Sequence, residues 1–552
     1  MTATATVPGV APHRRVSPRP QALVGTLILA RFFLRRDRVK LPAWILGIAL
    51  MGLYYGSALP QIYQTEDDLR AVSQFGRGVV GALLSGPGYG LADPSVESLI
   101  VAIYGLYFLL LAALMNILLV SRHTRVEEQN GRAELVRADV VGRHAQLTAA
   151  LLVAVVADLI LALAVAGSIA AAGLATDDAL LFGASVGMAG LVFAAVTAVT
   201  VQITAYSRAA AGLSGAILGL AYVLRAAGDA MREGGSALSW LSPLAWSQQT
   251  RAYADGRWWP LGLSVVFVVV TVAVAYVLST RRDLGAGLVP PRPGSPHAPR
   301  WLNSPSALAF RLQRAGLIGW GCALIASSAL YGGIGNSIVA SFEDLPDQLV
   351  EVMGGDASRM LDGYVGTMAL FDALLITVFV ILGVGGLRGE ETRGRADPVL
   401  ATAVGRRAWY FANIGVTALG AVLLLLVTGL VFGLSTALSV GDGGYVWAAT
   451  AAHLVYLPAV LVVLAVAALL YGVAPRAIGA TWALFGFAMV LGFFGAIMDL
   501  PGWVHDLSPF EHIARLPMDT VRWPALWWLT VFAGAAAALG FLGFRRRDVH
   551  SK

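Results

Sequence analysis

Long apolar runs alternate with short charged segments along the whole 552-residue chain. They fall at about residues 41–59, 99–121, 147–172, 180–204, 209–228 and 259–280. A second set follows at about 314–334, 364–387, 409–437, 446–474, 476–498 and 525–544. A helix needs roughly 20 apolar residues to cross a bilayer core. The pattern therefore predicts an all-α polytopic membrane protein with about 12 transmembrane helices. The fifth run is Gly-rich and the eleventh is short.

Charge gives the spans a direction. With the N-terminus assigned to the cytoplasm, the inner segments and both tails hold 30 Lys and Arg, and the outer segments hold 9. This is the bias expected of a multi-pass plasma-membrane protein with both termini cytoplasmic. Most acidic residues lie in the outer loops, and Trp240, Trp246, Trp258, Trp259, Trp503, Trp523, Trp527 and Trp528 form an aromatic belt near the outer boundary. Residues 1–24 are polar and Pro-rich and are expected to be a disordered cytoplasmic segment. Arg14-Arg15 imitates a twin-arginine signal, but the basic run Arg31 to Lys40 follows in place of a small-residue cleavage site.

Composition agrees. The chain is 57% apolar and 13% charged, about half the charge of a soluble protein, so soluble domains can only be small. The net charge of +6 is spread over inner loops and does not indicate a nucleic-acid partner. Arg outnumbers Lys 37 to 2, which with abundant Ala and Gly suggests a high-GC bacterial genome. Cys322 is the one cysteine, so no disulfide and no Cys-rich metal site is expected.

The chain is duplicated. Residues 281–306 are a Pro-rich inner linker between a first six-helix half, 25–280, and a second, 307–552. Glu127 to Ala145 reads EEQNGRAELVRADVVGRHA and Glu390 to Ala408 reads EETRGRADPVLATAVGRRA, identical at 11 of 19 positions with an offset of 263. Leu241-Ser242-Pro243 matches Leu507-Ser508-Pro509 at 266, and Arg281-Arg282-Asp283 matches Arg546-Arg547-Asp548 at 265. Six spans per repeat place the halves in parallel, related by an axis along the membrane normal.

The segment after the second span of each half carries the strongest candidate chemistry: Glu127, Glu128, Gly131, Arg132 and Glu134, then Glu390, Glu391, Gly394, Arg395 and Asp397. Its charge is too dense for hydrocarbon. A solvated loop would satisfy the charge rule, but loops usually diverge, and this one matches better between halves than the spans do. Glu and Arg at helical spacing suit a short helix that docks on a protein surface through ion pairs. Neither Lys40 nor Lys552 stands in a phosphate-cradling G-x-x-x-x-G-K-[ST] loop. No nucleotide is expected to bind directly; if ATP drives the protein, another chain hydrolyses it.

Other features carry less. Arg31, Arg35 and Arg38 form one helical stripe before the first span, and Arg311 and Arg314 precede the seventh. Each stretch fits a helix lying in the inner interface, or one running into the membrane with snorkelling arginines. Asp158, Asp372 and His453 lie in apolar runs, where a charge is costly; structural pairing and contact with substrate or protons compete as explanations. Tyr104, Tyr107, Phe108 and Met115 of the second span, and Trp482, Phe485, Phe487, Met489, Phe493 and Phe494 of the eleventh, suit an adaptable apolar surface or plain packing. The outer loops at 60–98 and 335–363, with Glu66-Asp67-Asp68 and Glu343-Asp344, read as solvated faces; neither loop contains H-E-x-x-H or G-x-S-x-G.

The pattern E-E-x-x-G-R-A-E-L-x-R-A-x-x-V-G-R after the second span, repeated after the eighth, resembles ABC-2 type permeases. More closely, it is similar to the fused twelve-span actinobacterial exporters of polyketide antibiotics, the tetronasin-type group. The resemblance implies an ABC-2 fold, a hydrophobic small-molecule substrate and a separate cytoplasmic ATPase in two copies, which would carry ATP and Mg. It makes the ten residues of the repeated segment the coupling helices, with Pro398 in place of Leu135 as a departure in the second copy. It places a substrate cavity among spans two, five, eight and eleven, with Tyr104, Tyr107, Phe108, Met115, Tyr222, Phe371, Asp372, Trp482, Phe485, Met489 and Phe493 as its candidate lining. A proton-coupled multidrug carrier is the alternative; it would need an embedded carboxylate such as Asp158 or Asp372. It would also expect a basic G-x-x-x-D-R-x-G-R loop after the second span, which is absent. A membrane-embedded enzyme on lipid-linked substrates lacks the required catalytic spacing.

Overall fold

The computed structural model describes residues 22–137, 141–290, 294, 296–336, 339, 357–495 and 500–548. Among them, twelve helices are long and apolar enough to cross a membrane. The first six are Lys40–Ile62, Val96–Gln129, Ala145–Ala171, Ala179–Ile203, Ser207–Met231 and Trp259–Thr280. The second six are Pro305–Gly333, Arg359–Thr392, Arg406–Val440, Gly444–Val473, Pro475–Gly492 and Trp523–Arg546. Each coincides with one expected run, and no strand occurs among the described residues. The chain divides into two compact units at Gly294/Ser295.

In the first unit the fourth span is central: 78% of its apolar window is buried, against 17% for the sixth. Glycine makes this possible. A Cβ on Gly183 would lie 2.2 Å from the Ala162 carbonyl oxygen, and one on Gly187 2.7 Å from that of Asp158. Lipid tails are as apolar as Leu, so close backbone approach replaces the hydrophobic effect as the force between spans. Phe108 of the second span meets Phe182 of the fourth edge-on at 5.3 Å.

A separate helix, Thr26–Arg36, precedes the first span. It buries Ala30 and Phe33, exposes Leu27, Ile28 and Phe32, and leaves Arg31 and Arg35 exposed. The second unit differs: Arg311 and Arg314 sit inside the continuous helix Pro305–Gly333. Each half thus follows a different one of the two geometries open to a basic stretch beside a span.

At the end of the first unit opposite its basic segments, residues 66–84 form two helices, Glu66–Arg77 and Val79–Leu84, where a solvated loop was expected. Thr65 and Asp68 cap the first reciprocally: Thr65 N–H donates to Asp68 Oδ2 at 3.0 Å, and Asp68 N–H to Thr65 Oγ1 at 3.2 Å. Arg225, fully buried in the fifth span, donates to the carbonyls of Ala82 (3.0 Å) and Leu83 (2.7 Å). These are carbonyls at the C-terminal end of the second helix, where backbone acceptors lack intrahelical donors. The acidic pair Glu343-Asp344 lies outside the described residues.

In the second unit the eighth and tenth spans are each 61% buried over their windows. The tenth packs on the twelfth so closely that a Cβ on Gly472 would fall 1.8 Å from the Gly540 carbonyl oxygen. Tyr410 of the ninth span ties these two together, donating toward the carbonyls of Ala468 (3.2 Å) and Ala537 (3.1 Å).

Candidate functional site

The repeated segment has the same backbone in both units. The helix of the second span runs to Gln129, the chain turns at Gly131 (φ 69°), and a short helix follows at Arg132–Arg137. The eighth span runs to Thr392, turns at Gly394 (φ 67°), and is followed by Ala396–Leu400. Both glycines occupy the left-handed region that side chains with a Cβ avoid. The segment is therefore two helical pieces around a glycine turn, with Glu127, Glu128, Glu390 and Glu391 before it and Arg132, Glu134, Arg395 and Asp397 after it.

Three of the glutamates before the turns, Glu127, Glu128 and Glu391, are buried. Arg282, just past the sixth span, donates from both terminal nitrogens to Glu128, at 2.9 and 2.7 Å. Arg547, just past the twelfth, grips Glu391 in the same bidentate way, with one bond at 2.7 Å and the other from Nη1 to Oε1. Burial works against the Arg547 charge, but the hydrogen bonds and charge of Glu391 outweigh it and hold the guanidinium above its usual value. Paired forks of this kind are the strong class of hydrogen bond.

A second grip repeats alongside the first. Arg143 donates to the carbonyls of Ser279 (3.3 Å) and Thr280 (2.8 Å). Arg406, its counterpart at offset 263, donates to those of Phe544 (3.2 Å), Arg545 (3.2 Å) and Arg547 (2.6 Å). These carbonyls close the sixth and twelfth spans, where a cation both supplies missing donors and meets the negative end of the helix dipole. The 19-residue repeat and the Arg-Arg-Asp repeat are thus two sides of one clasp, formed once in each unit, which ties the segment after span two or eight to the end of span six or twelve.

The first unit adds connections. Arg125, fully buried, donates to Glu128 (2.7 Å) and to the carbonyls of Val201 (3.0 Å) and Ala286 (3.0 Å). The backbone N–H groups of Leu288 and Val289 bond to the carbonyls of Gln202 and Ile203, both at 2.9 Å. The start of the Pro-rich linker is therefore strapped to the first unit. Glu127 pairs with Arg36 of the preceding helix. Asp37 pairs with His123 at 2.5 Å and Arg122 at 2.7 Å. Burial pushes the Asp37 carboxyl up, but the His123 hydrogen bond and the charges of His123, Arg122 and Lys40 outweigh it and hold it below the usual carboxylate value. A π-helical turn at Arg122–Val126 lets His123, Thr124 and Arg125 all face inward.

The expected docking residues accordingly divide. Glu127, Glu128 and Glu391 are buried and occupied within their own units. Glu390 is half-buried and pairs with Arg395 at 3.1 Å. Arg132 and Glu134 are exposed in the first unit, beside Leu135 and Val136, and Arg395 and Asp397 are exposed in the second. Gly131 and Gly394 supply the turns.

The expected cavity residues have varied surroundings. Phe108 and Met115 are buried in the core of the first unit. Tyr104 stacks on Tyr55 at 4.2 Å, and Tyr107 is exposed. Tyr222 donates to the Leu83 carbonyl at 3.2 Å beneath Arg225. Asp372 is buried against His453, Nε2 to Oδ2 at 3.2 Å, and Phe371 is half-buried. Trp482 and Met489 are exposed, and Phe485 meets Trp482 edge-on at 6.0 Å. The side chain of Phe493 lies outside the described residues. Asp158 is buried and accepts from Asn116 Nδ2 at 2.9 Å. Among the described residues no cluster of three His, Cys, Asp or Glu could hold a metal.

Sequence reasoning missed Arg143, Arg282, Arg406 and Arg547 as working residues, although the repeated Val-Gly-Arg and Arg-Arg-Asp carried the signal. Asp37 and His123 had no counterpart in the second half to mark them.

A chain of two six-span helical units with one clasp made twice is a polytopic membrane protein of two like halves. The family profile described as multidrug efflux system permease Rv1217c, C-terminal domain, matches residues 29–278 and 302–545, and the chain belongs to this family. It is 36% identical to the multidrug efflux system permease protein Rv1217c of Mycobacterium tuberculosis, over 98% of this chain and 97% of that one.

Proposed function

We propose that the chain is the membrane-spanning part of an ATP-driven exporter of hydrophobic drugs or antibiotics, of the ABC-2 type, with hydrolysis on a separate cytoplasmic subunit bound in two copies. The observation that carries this reading is the repeated segment. Each copy is clamped to its own unit from behind and presents exposed charge in front: Arg132 and Glu134 in one, Arg395 and Asp397 in the other. A surface that receives force must be rigidly tied to what it moves. Here a push on Arg132 or Arg395 passes through Glu128–Arg282 or Glu391–Arg547 to the end of span six or twelve.

ATP binding would draw the two ATPase copies together and move the segments. The units would then alternate between inward and outward states. Release follows only if the two states differ in affinity for the substrate. The name of the Mycobacterium tuberculosis relative supports drug efflux as the activity, and the doubled motif supports the tetronasin-type group. The basic bias supports a cytoplasmic location for the clasps.

The test is co-purification with a cytoplasmic ATPase subunit, sought first among the neighbouring genes, followed by drug-stimulated ATP hydrolysis in lipid. Transport by the isolated chain under a pH gradient alone overturns the reading.

One observation favours a second reading. His453 Nδ1 lies 2.8 Å from the Ala449 carbonyl and so must carry its hydrogen there, which turns Nε2 toward Asp372. A buried imidazole thus faces a buried carboxylate inside a membrane-spanning region, the pairing a proton-coupled carrier would require. Asp372→Asn abolishes transport under that reading and leaves ATP-driven transport under the first.

A further inference from the structure

At the basic end of the first unit a groove of about 360 Å³ opens between the start of the first span, the end of the second and the start of the fifth. Lys40, Arg122 and Arg208 line it against one acid, Asp37, so it carries a surplus of two positive charges. Asp37 is already engaged by His123 and Arg122. Among the described residues Arg208 makes no hydrogen bond or ion pair, and Lys40 has only the field of Asp37. The rest of the lining is mainly apolar, with Trp44 half-buried and Leu118 exposed.

The neighbouring helix Thr26–Arg36 supplies an independent indication. Its exposed Leu27, Ile28 and Phe32 stand beside exposed Arg31 and Arg35 on a helix adjoining the first span. Such a helix lies in the headgroup layer with its apolar side in the acyl boundary. Basic pockets between spans on the cytoplasmic side are suited to anionic headgroups.

We propose that this groove binds one anionic phospholipid of the inner leaflet, its phosphate held by Lys40, Arg122 and Arg208 and its chains against Trp44 and Leu118. The second unit has Gly385 where the first has Arg122, so the site is asymmetric: one lipid per chain. The inference is independent of what energises transport.

The test is native mass spectrometry of the full-length protein in neutral detergent, titrated with phosphatidylglycerol or phosphatidylcholine. The wild type takes up one phosphatidylglycerol in preference to phosphatidylcholine. Lys40→Gln/Arg208→Gln weakens that step roughly thirtyfold, about fivefold for each cation lost. The control Arg545→Gln/Arg546→Gln removes two exposed charges at the end of the last span and leaves the step unchanged. Unaltered elution and melting in phosphatidylcholine show that the variants are folded. Equal uptake of both lipids by the wild type, or equal losses in the two double variants, overturns the proposal.

Discussion

Replacing Glu128 by Gln keeps the shape of the side chain and removes its charge. Glu128 and Arg282 are 5% and 9% exposed, and Arg125, which shares the carboxylate, is fully buried. Both guanidinium groups would then lose their compensating charge. Removing one member of a buried pair costs about 3–5 kcal/mol, whereas an exposed pair contributes about 0–1 kcal/mol. At about 2–4 °C per kcal/mol for a unit of this size, Glu128→Gln should lower the melting temperature of the detergent-purified protein by roughly 6–20 °C. Glu391→Gln should act in the same direction, because Glu391 and Arg547 are 5% and 17% exposed. In the second unit the exchange Glu391→Arg/Arg547→Glu should recover part of the loss, which neither single reversal can. Falls below about 2 °C for both Gln variants would refute the clasp as a structural tie, since they would match the energy of a solvated pair.

Arg132→Glu/Arg395→Glu alters two side chains that are each 57% exposed; melting should stay within about 1 °C, while co-purification of the ATPase falls at least tenfold. The carboxyl of Asp37 is held below the ordinary aspartate value of 3.8. Its stabilisation is therefore fully present above that pH and is lost as pH falls through the folded value. The melting difference between wild type and Asp37→Asn should be constant from pH 7 to pH 5 and close below pH 3.8. A methyl on Gly190 would fall 2.3 Å from Asp158 Oδ1 and 2.6 Å from Asn116 Nδ2. Gly190→Ala should thus destabilise by about 1–3 kcal/mol, and Gly212→Ala, with open space at its Cβ, should not.

Much of this molecule was legible before any contact was known. Twelve apolar runs became twelve spans because transfer into lipid depends on local composition, and a helix satisfies its backbone within the run. The internal matches that indicate a duplication need no geometry to be read. The Glu-Glu segment also stood out in the sequence, but which of its charges are buried did not. Charge at helical spacing says that partners exist; it cannot say whether they lie in another protein or 154 residues further along this one, as Arg282 does for Glu128.

Only the tertiary structure decided that question, because the rotation of each helix about its axis selects which face is buried, and rotation is set by neighbours. The same limit hid the difference between the two basic stretches, one a separate helix and the other part of a span. It also hid the fate of the aromatic residues: Phe108 and Tyr107 are adjacent in sequence, yet one is fully buried and the other 43% exposed. Local hydrophobicity settled what enters the membrane, and packing between distant segments settled what each residue does there.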